Sequence, residues 1–269
     1  MEKHIAMTKY NNPLVSIITP TYNRKNWLPL TLKSLIDQTY INWECIVMND
    51  AGEDVSDVVE SFHDDRIKYY ENDHNVDLAQ TRNNAIDKAS GSWFVCLDDD
   101  DQLFSETLEF RLWRAKKYSA DVVYSRVLQC FYNNVAGVYQ YAGEKLYWDS
   151  SYDPDLILIQ NIAPVNAVMF SREAQEKAGY FDSELKSGED WSHWVSMSRH
   201  YPFIETKILD CSCSFRTDNQ QMSGTRDFAV DQAKIYKKWR STAKNLSWVK
   251  EHQNNMLRQR NINPSDYGL

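Results

Sequence analysis

Trp93-Phe94-Val95-Cys96-Leu97-Asp98-Asp99-Asp100-Asp101 runs an apolar stretch straight into four adjacent carboxylates. The apolar part suits a strand buried on both faces. The carboxylates repel one another and resist burial, so a strand ending in them is costly unless a cation sits at its tip. Hard oxygen ligands in a tight cluster suit Mg²⁺ or Mn²⁺, above all where a phosphate-bearing substrate completes the coordination shell. Taken alone, the run also reads as a solvated acidic turn with a helix start at Asp101. The sequence on either side decides between the two.

Upstream, short strands and helices alternate. Leu14-Val15-Ser16-Ile17-Ile18 is a β-branched run ending at Pro20, and Trp27 to Leu35 carries Leu28, Leu32, Leu35 and Ile36 at helical spacing. Trp43 to Met48 reads as a strand, Val55 to Phe62 as a helix, Ile67 to Tyr70 as a strand and Leu78 to Ala89 as a helix. Trp93 to Leu97 follows as the fourth strand. Such alternation predicts an α/β fold, a mostly parallel sheet flanked by helices, with ligands beyond the C-terminal strand ends. Three polar features fall at those ends: Thr19-Pro20-Thr21-Tyr22-Asn23, Asn49-Asp50, and Asp98–Asp101.

After Ala120 the pattern turns mixed or antiparallel, with strands expected at Val122 to Val127, Val138 to Tyr141, Lys145 to Trp148, Val165 to Phe170 and Ile208 to Phe215. Helices are expected from Arg172 and over Trp191 to His200. From Asp227 the chain reads as helical and too short for an independent domain, so it is expected to pack against the main body or serve a partner.

A length of 269 residues allows one large domain plus an appendage, and a net charge of −8 argues against a general nucleic-acid binder. Phosphate-bearing small molecules remain compatible, because a divalent cation reverses the local sign. No apolar run approaches the ~18 to 20 residues of a membrane span. Met1-Glu2-Lys3-His4 lacks the apolar core of a signal peptide, which places the expected location in the cytoplasm. The five cysteines are scattered and read as reduced core thiols; Cys211-Ser212-Cys213 has no second pair to complete a zinc site. The plentiful Tyr and Trp suit a protein that handles sugars, since aromatic faces pack against the apolar faces of sugar rings.

Val15 to Arg24, Ser34 to Thr39, Asn49-Asp50, and Asn75 followed by Thr81-Arg82-Asn83 form a series of motifs along the chain. The series continues through Ala89-Ser90-Gly91, Leu97 to Asp101, Gly179-Tyr180-Phe181-Asp182 and Gly188-Glu189-Asp190-Trp191. In their order and spacing, the chain resembles the family-two inverting glycosyltransferases of GT-A fold. That resemblance implies a lead-in over 1–12 and a GT-A domain over 13–217, with a nucleotide-binding half (13–101) and a small, mixed acceptor-binding half (102–217). A helical C-terminal extension over 218–269 carries no family signature.

The resemblance implies nucleotide contacts from Thr19, Thr21, Asn23, Asp50, Arg82, Asp98 and Asp99, with Asp50 accepting from a uracil-like imide N–H and Arg24 approaching the phosphates. Asp100 is the implied direct ligand of Mn²⁺ or Mg²⁺, and Asp98 contacts ribose or a metal-bound water. Asp101 orients the donor sugar or caps the following helix. Asp190 is the implied general base, with Glu189 beside it at a helix start where capping and catalysis can coexist. Trp191 packs either under the acceptor or in the core, and His193 is structural or on the acceptor side. In Phe215-Arg216-Thr217-Asp218, Asp218 stands where the family often has a metal-ligating His. Two further departures are Asn49-Asp50-Ala51-Gly52 for the usual Asp-Asp-Gly-Ser, and Asp77 where a Gly is expected after Asn75.

The implied reaction moves a sugar from a nucleotide diphosphate donor, a UDP-hexose or UDP-N-acetylhexosamine, to a hydroxyl acceptor. The acceptor is a glycan, a glycoprotein or a lipid-linked carrier, and Tyr147, Trp148 and Asn166 are candidates for its recognition. Bacterial surface polysaccharide or glycoprotein assembly is the implied setting. Peripheral association with the inner membrane face and a partner domain or homo-oligomer are both compatible with it. The rivals are an inactive sugar-nucleotide-binding module and a nucleotidyltransferase, which would want a Gly-rich phosphate loop that Thr19 to Arg24 lacks.

Overall fold

A computed structural model of the chain describes residues 11–136, 138–148, 151–216 and 228–269. The expected run of strands and helices forms. β1 (Val15–Thr21), α1 (Leu28–Ile36), β2 (Trp43–Asn49), α2 (Ser56–Ser61), β3 (Ile67–Glu71), α3 (Leu78–Lys88) and β4 (Trp93–Cys96) build a parallel unit. Every residue of β1, β2 and β4 is buried, which is why these strands are nearly continuous apolar runs. Gly91, which leads into β4, admits no side chain: a Cβ there would lie 2.5 Å from Ser16 Oγ and 2.7 Å from the Leu14 carbonyl oxygen.

The sheet continues with β5 (Gln102–Leu103), α4 (Thr107–Tyr118), β6 (Val122–Val135), β7 (Val138–Trp148), β8 (Val168–Ser171), α5 (Arg172–Ala178), α6 (Glu189–Ser198) and β9 (Phe203–Arg216). Its strand order is β3-β2-β1-β4-β8-β6-β9-β5, with β7 on β6. Strand order reverses beside β1, between β2 and β4, which opens a crevice at their C-terminal ends. β8 is antiparallel to both β4 and β6, and β9 is parallel to β6. The C-terminal ends of β6 and β9 therefore reach the same sheet edge as those of β1, β2 and β4.

Several strand boundaries differ from those expected: β6 runs on to Val135 instead of ending at Val127, and β9 begins at Phe203 instead of Ile208. Val138–Trp148 is one strand rather than two, because the register shift opposite Phe131 and Tyr132 absorbs Ala142 as a bulge instead of a turn. Val165–Ala167 is a single 3₁₀ turn after Pro164, and the strand begins only at Val168. That turn holds Asn166 in the core, where its amide donates to the Ser212 carbonyl and its own carbonyl accepts from Arg111.

Two helices close the chain, α7 (Phe228–Trp239) and α8 (Leu246–Gln259). They dock on the main body through buried polar contacts: Tyr236 donates to the Ile159 carbonyl and Gln253 to the Leu158 carbonyl. Asp231 Oδ2 accepts from Lys186 N, Ser187 N and Ser187 Oγ at 2.9, 3.0 and 3.1 Å. Among the described residues, no helix is long and apolar enough to cross a membrane.

Candidate active site

A cavity of about 1410 Å³ opens at the shared sheet edge. Most of the expected site residues line it: Thr21, Asn23, Asp50, Arg82, Asp98, Asp99, Asp100, Asp101, Glu189, Asp190 and Trp191. Thr19 does not. It lies two residues deeper in β1, fully buried, where its hydroxyl takes the Cys45 thiol. Asp218 lies outside the described residues, as do the side chains of Tyr147 and Trp148. Asn166 is a core residue and leaves the cavity to others.

At the ends of β1 and β2, Asn23 turns the chain with φ +54° and its side-chain carbonyl accepts from Glu53 N. Asp50 Oδ1 accepts from Asn72 Nδ2 and Val76 N, both at 2.9 Å. These bonds fix the carboxylate's plane and tie the second strand end to the loop before α3. That loop contains Asp77, at φ +69° and ψ 162°, a conformation glycine favours. Asp77 adopts this conformation where the family has Gly, and its carboxylate pairs with Lys186.

The four aspartates sit where the strand ends require. Arg24 Nη1 bridges Asp99 and Asp100 at 3.1 and 2.9 Å, and Arg216 Nη2 lies 3.0 Å from Asp100. Asp101 accepts from Ser214 N and belongs to the β9 contact rather than to a helix cap, since α4 begins only at Thr107. Burial, then the repulsion of neighbouring carboxylates, raises Asp101 well above the usual carboxylate range. Burial likewise lifts Asp100, and takes Asp99 to about 7 although Arg24 opposes it. Asp99 Oδ2 is buried with no hydrogen-bond partner.

Arg82 joins the two sides of the cavity. Fully buried on α3, it donates from Nη2 to Asp98 Oδ1 at 2.6 Å and from Nη1 to Glu189 Oε1 at 2.5 Å. Next to that pair, Asp190 Oδ2 accepts from Asn161 Nδ2 at 3.0 Å, while Oδ1 accepts from Trp191 N. Burial first, and the adjacent Glu189 second, raise the Asp190 carboxyl to about 7. A carboxylate poised there can exchange a proton near neutrality. Trp191 is 1 % exposed, and its indole donates to the Ile157 carbonyl, so its ring is mainly core with one edge on the cavity. His193 stacks on Phe181 at 4.1 Å, pairs with Gln175 and is held neutral by burial.

The structure adds residues that the sequence reading did not single out. Asn161 holds the Asp190 carboxylate and Asn72 holds Asp50. Trp27 packs its ring against Tyr132 and Tyr139, with centroids at 5.0 and 5.1 Å, to form an aromatic wall beside Arg216. Phe228, Gln232, Met256 and Arg260 from the C-terminal helices also line the cavity, outside the acceptor-binding half (102–217) that the resemblance implies. No sequence spacing links any of these to the motifs they join. All five cysteines are free and buried.

Comparison with known proteins agrees with this architecture. The sequence model of glycosyl transferase family 2 matches residues 16–177. A "GalNAc(5)-diNAcBac-PP-undecaprenol beta-1,3-glucosyltransferase" of Campylobacter jejuni is 27% identical over 219 residues, covering 80% of this chain and 69% of its own. The crystal structure of Staphylococcus aureus TarS (residues 1–349) with UDP-GlcNAc superposes with a TM-score of 0.68 at 18% identity, covering 90% of this chain and 71% of that one. The mannosyltransferase PcManGT of Pyrobaculum calidifontis, solved with GDP-Man and Mn²⁺, gives a TM-score of 0.61 at 15% identity over 90% of this chain and 70% of its own. The chain is thus a glycosyltransferase of GT-A fold and belongs to glycosyl transferase family 2.

Proposed function

We propose that this enzyme transfers a hexose-type sugar from a UDP-linked donor to a hydroxyl of a lipid-linked glycan, with inversion at the anomeric carbon. The observation that carries the reading is one cavity holding the strand-end carboxylates and, across the Arg82 bridge, an Asp190 carboxyl tuned to about 7. UDP-GlcNAc in TarS and the undecaprenol-linked substrate in the Campylobacter enzyme's name support the donor and acceptor classes.

In this reading Thr21, Asn23 and Asp50 surround the nucleoside, with the Asp50 oxygen not held by Asn72 and Val76 accepting the uracil imide N–H. Arg82 and Asp98 flank the ribose and diphosphate, and Asp99 and Asp101 shape the floor on the donor-sugar side. The residues fit a hard divalent ion: Asp99 keeps an unsatisfied buried oxygen, and the raised Asp99, Asp100 and Asp101 carboxyls mark a site short of positive charge. Among the described residues no three His, Cys, Asp or Glu side chains form a complete metal cage. Asp100 would therefore hold Mn²⁺ or Mg²⁺ together with phosphate oxygens and water, Arg24 or Arg216 yielding its place on that carboxylate. When bound, the ion supplies charge neutralisation for the departing diphosphate.

Asp190 takes the proton of the acceptor hydroxyl as its oxygen bonds to the anomeric carbon. The bond from that carbon to the diphosphate breaks in the same in-line displacement, its electron pair leaving with UDP. Glu189 keeps Arg82 in place behind the reacting groups, and Asn161 aims the base. The test is Asp190→Asn, which keeps the shape and removes the base. Transfer should fall by about 10²- to 10⁴-fold while UDP affinity, read by calorimetry, stays at the wild-type value. Near-wild-type transfer by this variant sinks the assignment.

A further inference from the structure

Among the described residues, six basic side chains line the cavity, and five of them face a carboxylate partner. Arg24 pairs with Asp99 and Asp100, Lys25 with Asp57, Arg82 with Asp98 and Glu189, Lys186 with Asp77, and Arg216 with Asp100. The sixth, Arg260, has no ion pair or hydrogen bond from its side chain among the described residues. Its guanidinium lies over the Phe228 ring, 5.1 Å from the centroid. Phe228 in turn stacks against Trp191 at 6.4 Å, the residue next to Asp190. The unpaired cation thus sits on the Asp190 side of the cavity, whereas Arg24 and Arg216 are committed to the aspartate cluster on the other.

A cation just past the last turn of α8 can simply complement the helix's carbonyl end. Two features separate Arg260 from that role: its charge is drawn over an aromatic face, and that face is part of the cavity wall. The surrounding charge points the same way. Although the chain is net −8, residues 228–269 carry eight Lys and Arg against three Asp and Glu, so the segment that supplies Arg260 is itself basic. The guanidinium fork matches phosphate geometry, and Phe228 and Met256 set apolar surface beside it.

We propose that Arg260, Phe228 and Met256 form a subsite for the diphosphate and first carbons of a prenyl diphosphate-linked acceptor. This rests on the reading of the enzyme as a transferase to lipid-linked glycans and adds the group that recognises the lipid link. The C-terminal helices are then the acceptor wall. Asp231 anchors them to the loop that precedes Glu189 and Asp190, which keeps the phosphate site in register with the base.

The experiment is calorimetric titration of geranyl diphosphate into the full chain already saturated with UDP and Mn²⁺, so that the donor's diphosphate site is filled. Wild-type protein should bind geranyl diphosphate more tightly than inorganic pyrophosphate and should not bind geraniol. Arg260→Gln should weaken geranyl diphosphate by about 10-fold or more, and Arg260→Lys, which keeps the charge without the fork, by less. Circular-dichroism melting checks that these variants of an exposed residue remain folded. Unchanged affinity in Arg260→Gln, or equal affinity for pyrophosphate and geranyl diphosphate, overturns the subsite. Failure of the wild-type protein to bind UDP at all sinks the donor reading, and this subsite with it.

Discussion

Replacing Asn161 with Ala tests how the base is tuned. Asn161 donates to Asp190 Oδ2 at 3.0 Å and so favours the ionised carboxylate, against burial and Glu189, which favour the protonated form. A hydrogen bond to a charged group is worth about 1.5–3 kcal/mol, or roughly one to two pKa units. With Asp190 starting at about 7, the substitution carries it to roughly 8–9. The base works only when ionised, so at neutral pH the active fraction falls from about one half to between about one tenth and one hundredth. Acceptor kcat/KM at saturating donor, measured from about pH 5.5 to 9.5, should show the acid limb displaced upward by that amount. Activity lost at neutrality should return in alkaline buffer. A loss of the same factor at every pH, or an acid limb that does not move, refutes this account of Asn161 and of the base it holds.

Chelation by EDTA should abolish transfer, and added Mn²⁺ or Mg²⁺ should restore it; full activity in chelator would remove the role given to Asp100. Gly91→Ala forces a methyl against Ser16 and the Leu14 carbonyl, and should lower unfolding free energy in urea by about 1–3 kcal/mol. Asp210→Asn breaks a buried pair in which Arg111 contacts Asp210 through both Nε and Nη2. It should cost about 3–5 kcal/mol of stability by the same measurement, yet leave UDP affinity in the surviving folded protein unaltered.

Much of this was legible because burial writes itself into local sequence. β1, β2 and β4 are covered on both faces and so read as unbroken apolar runs, and the polar residues that end them mark the sheet edge. The same logic located Asp50, the aspartate run and Asp190, each standing at the end of a strand or the start of a helix. What remained hidden was set by partners distant in the chain. Arg24 reads as a phosphate contact, but a cluster of buried carboxylates draws in the nearest cation, and it sits on Asp99 and Asp100. Asn161 lies in irregular chain with no pattern around it, and only the fold brings it to Asp190. Thr19 and Thr21 look equivalent in sequence; one pleat repeat separates a core hydroxyl from a cavity residue. The bulge at Ala142 had no signal beyond Gly143, which serves equally well for a turn.

The clasp that Asp231 makes on residues 186 and 187 bears on how such enzymes can be re-engineered. Three donors from that stretch converge on a single oxygen of α7, so the helix and the loop are inherited as one piece. A chimera that imports a foreign tail to change what is glycosylated should carry the matching 186–188 segment along with it. Grafting at the boundary between them would leave a buried aspartate without its clients, and the arm bearing Asp190 without its hook.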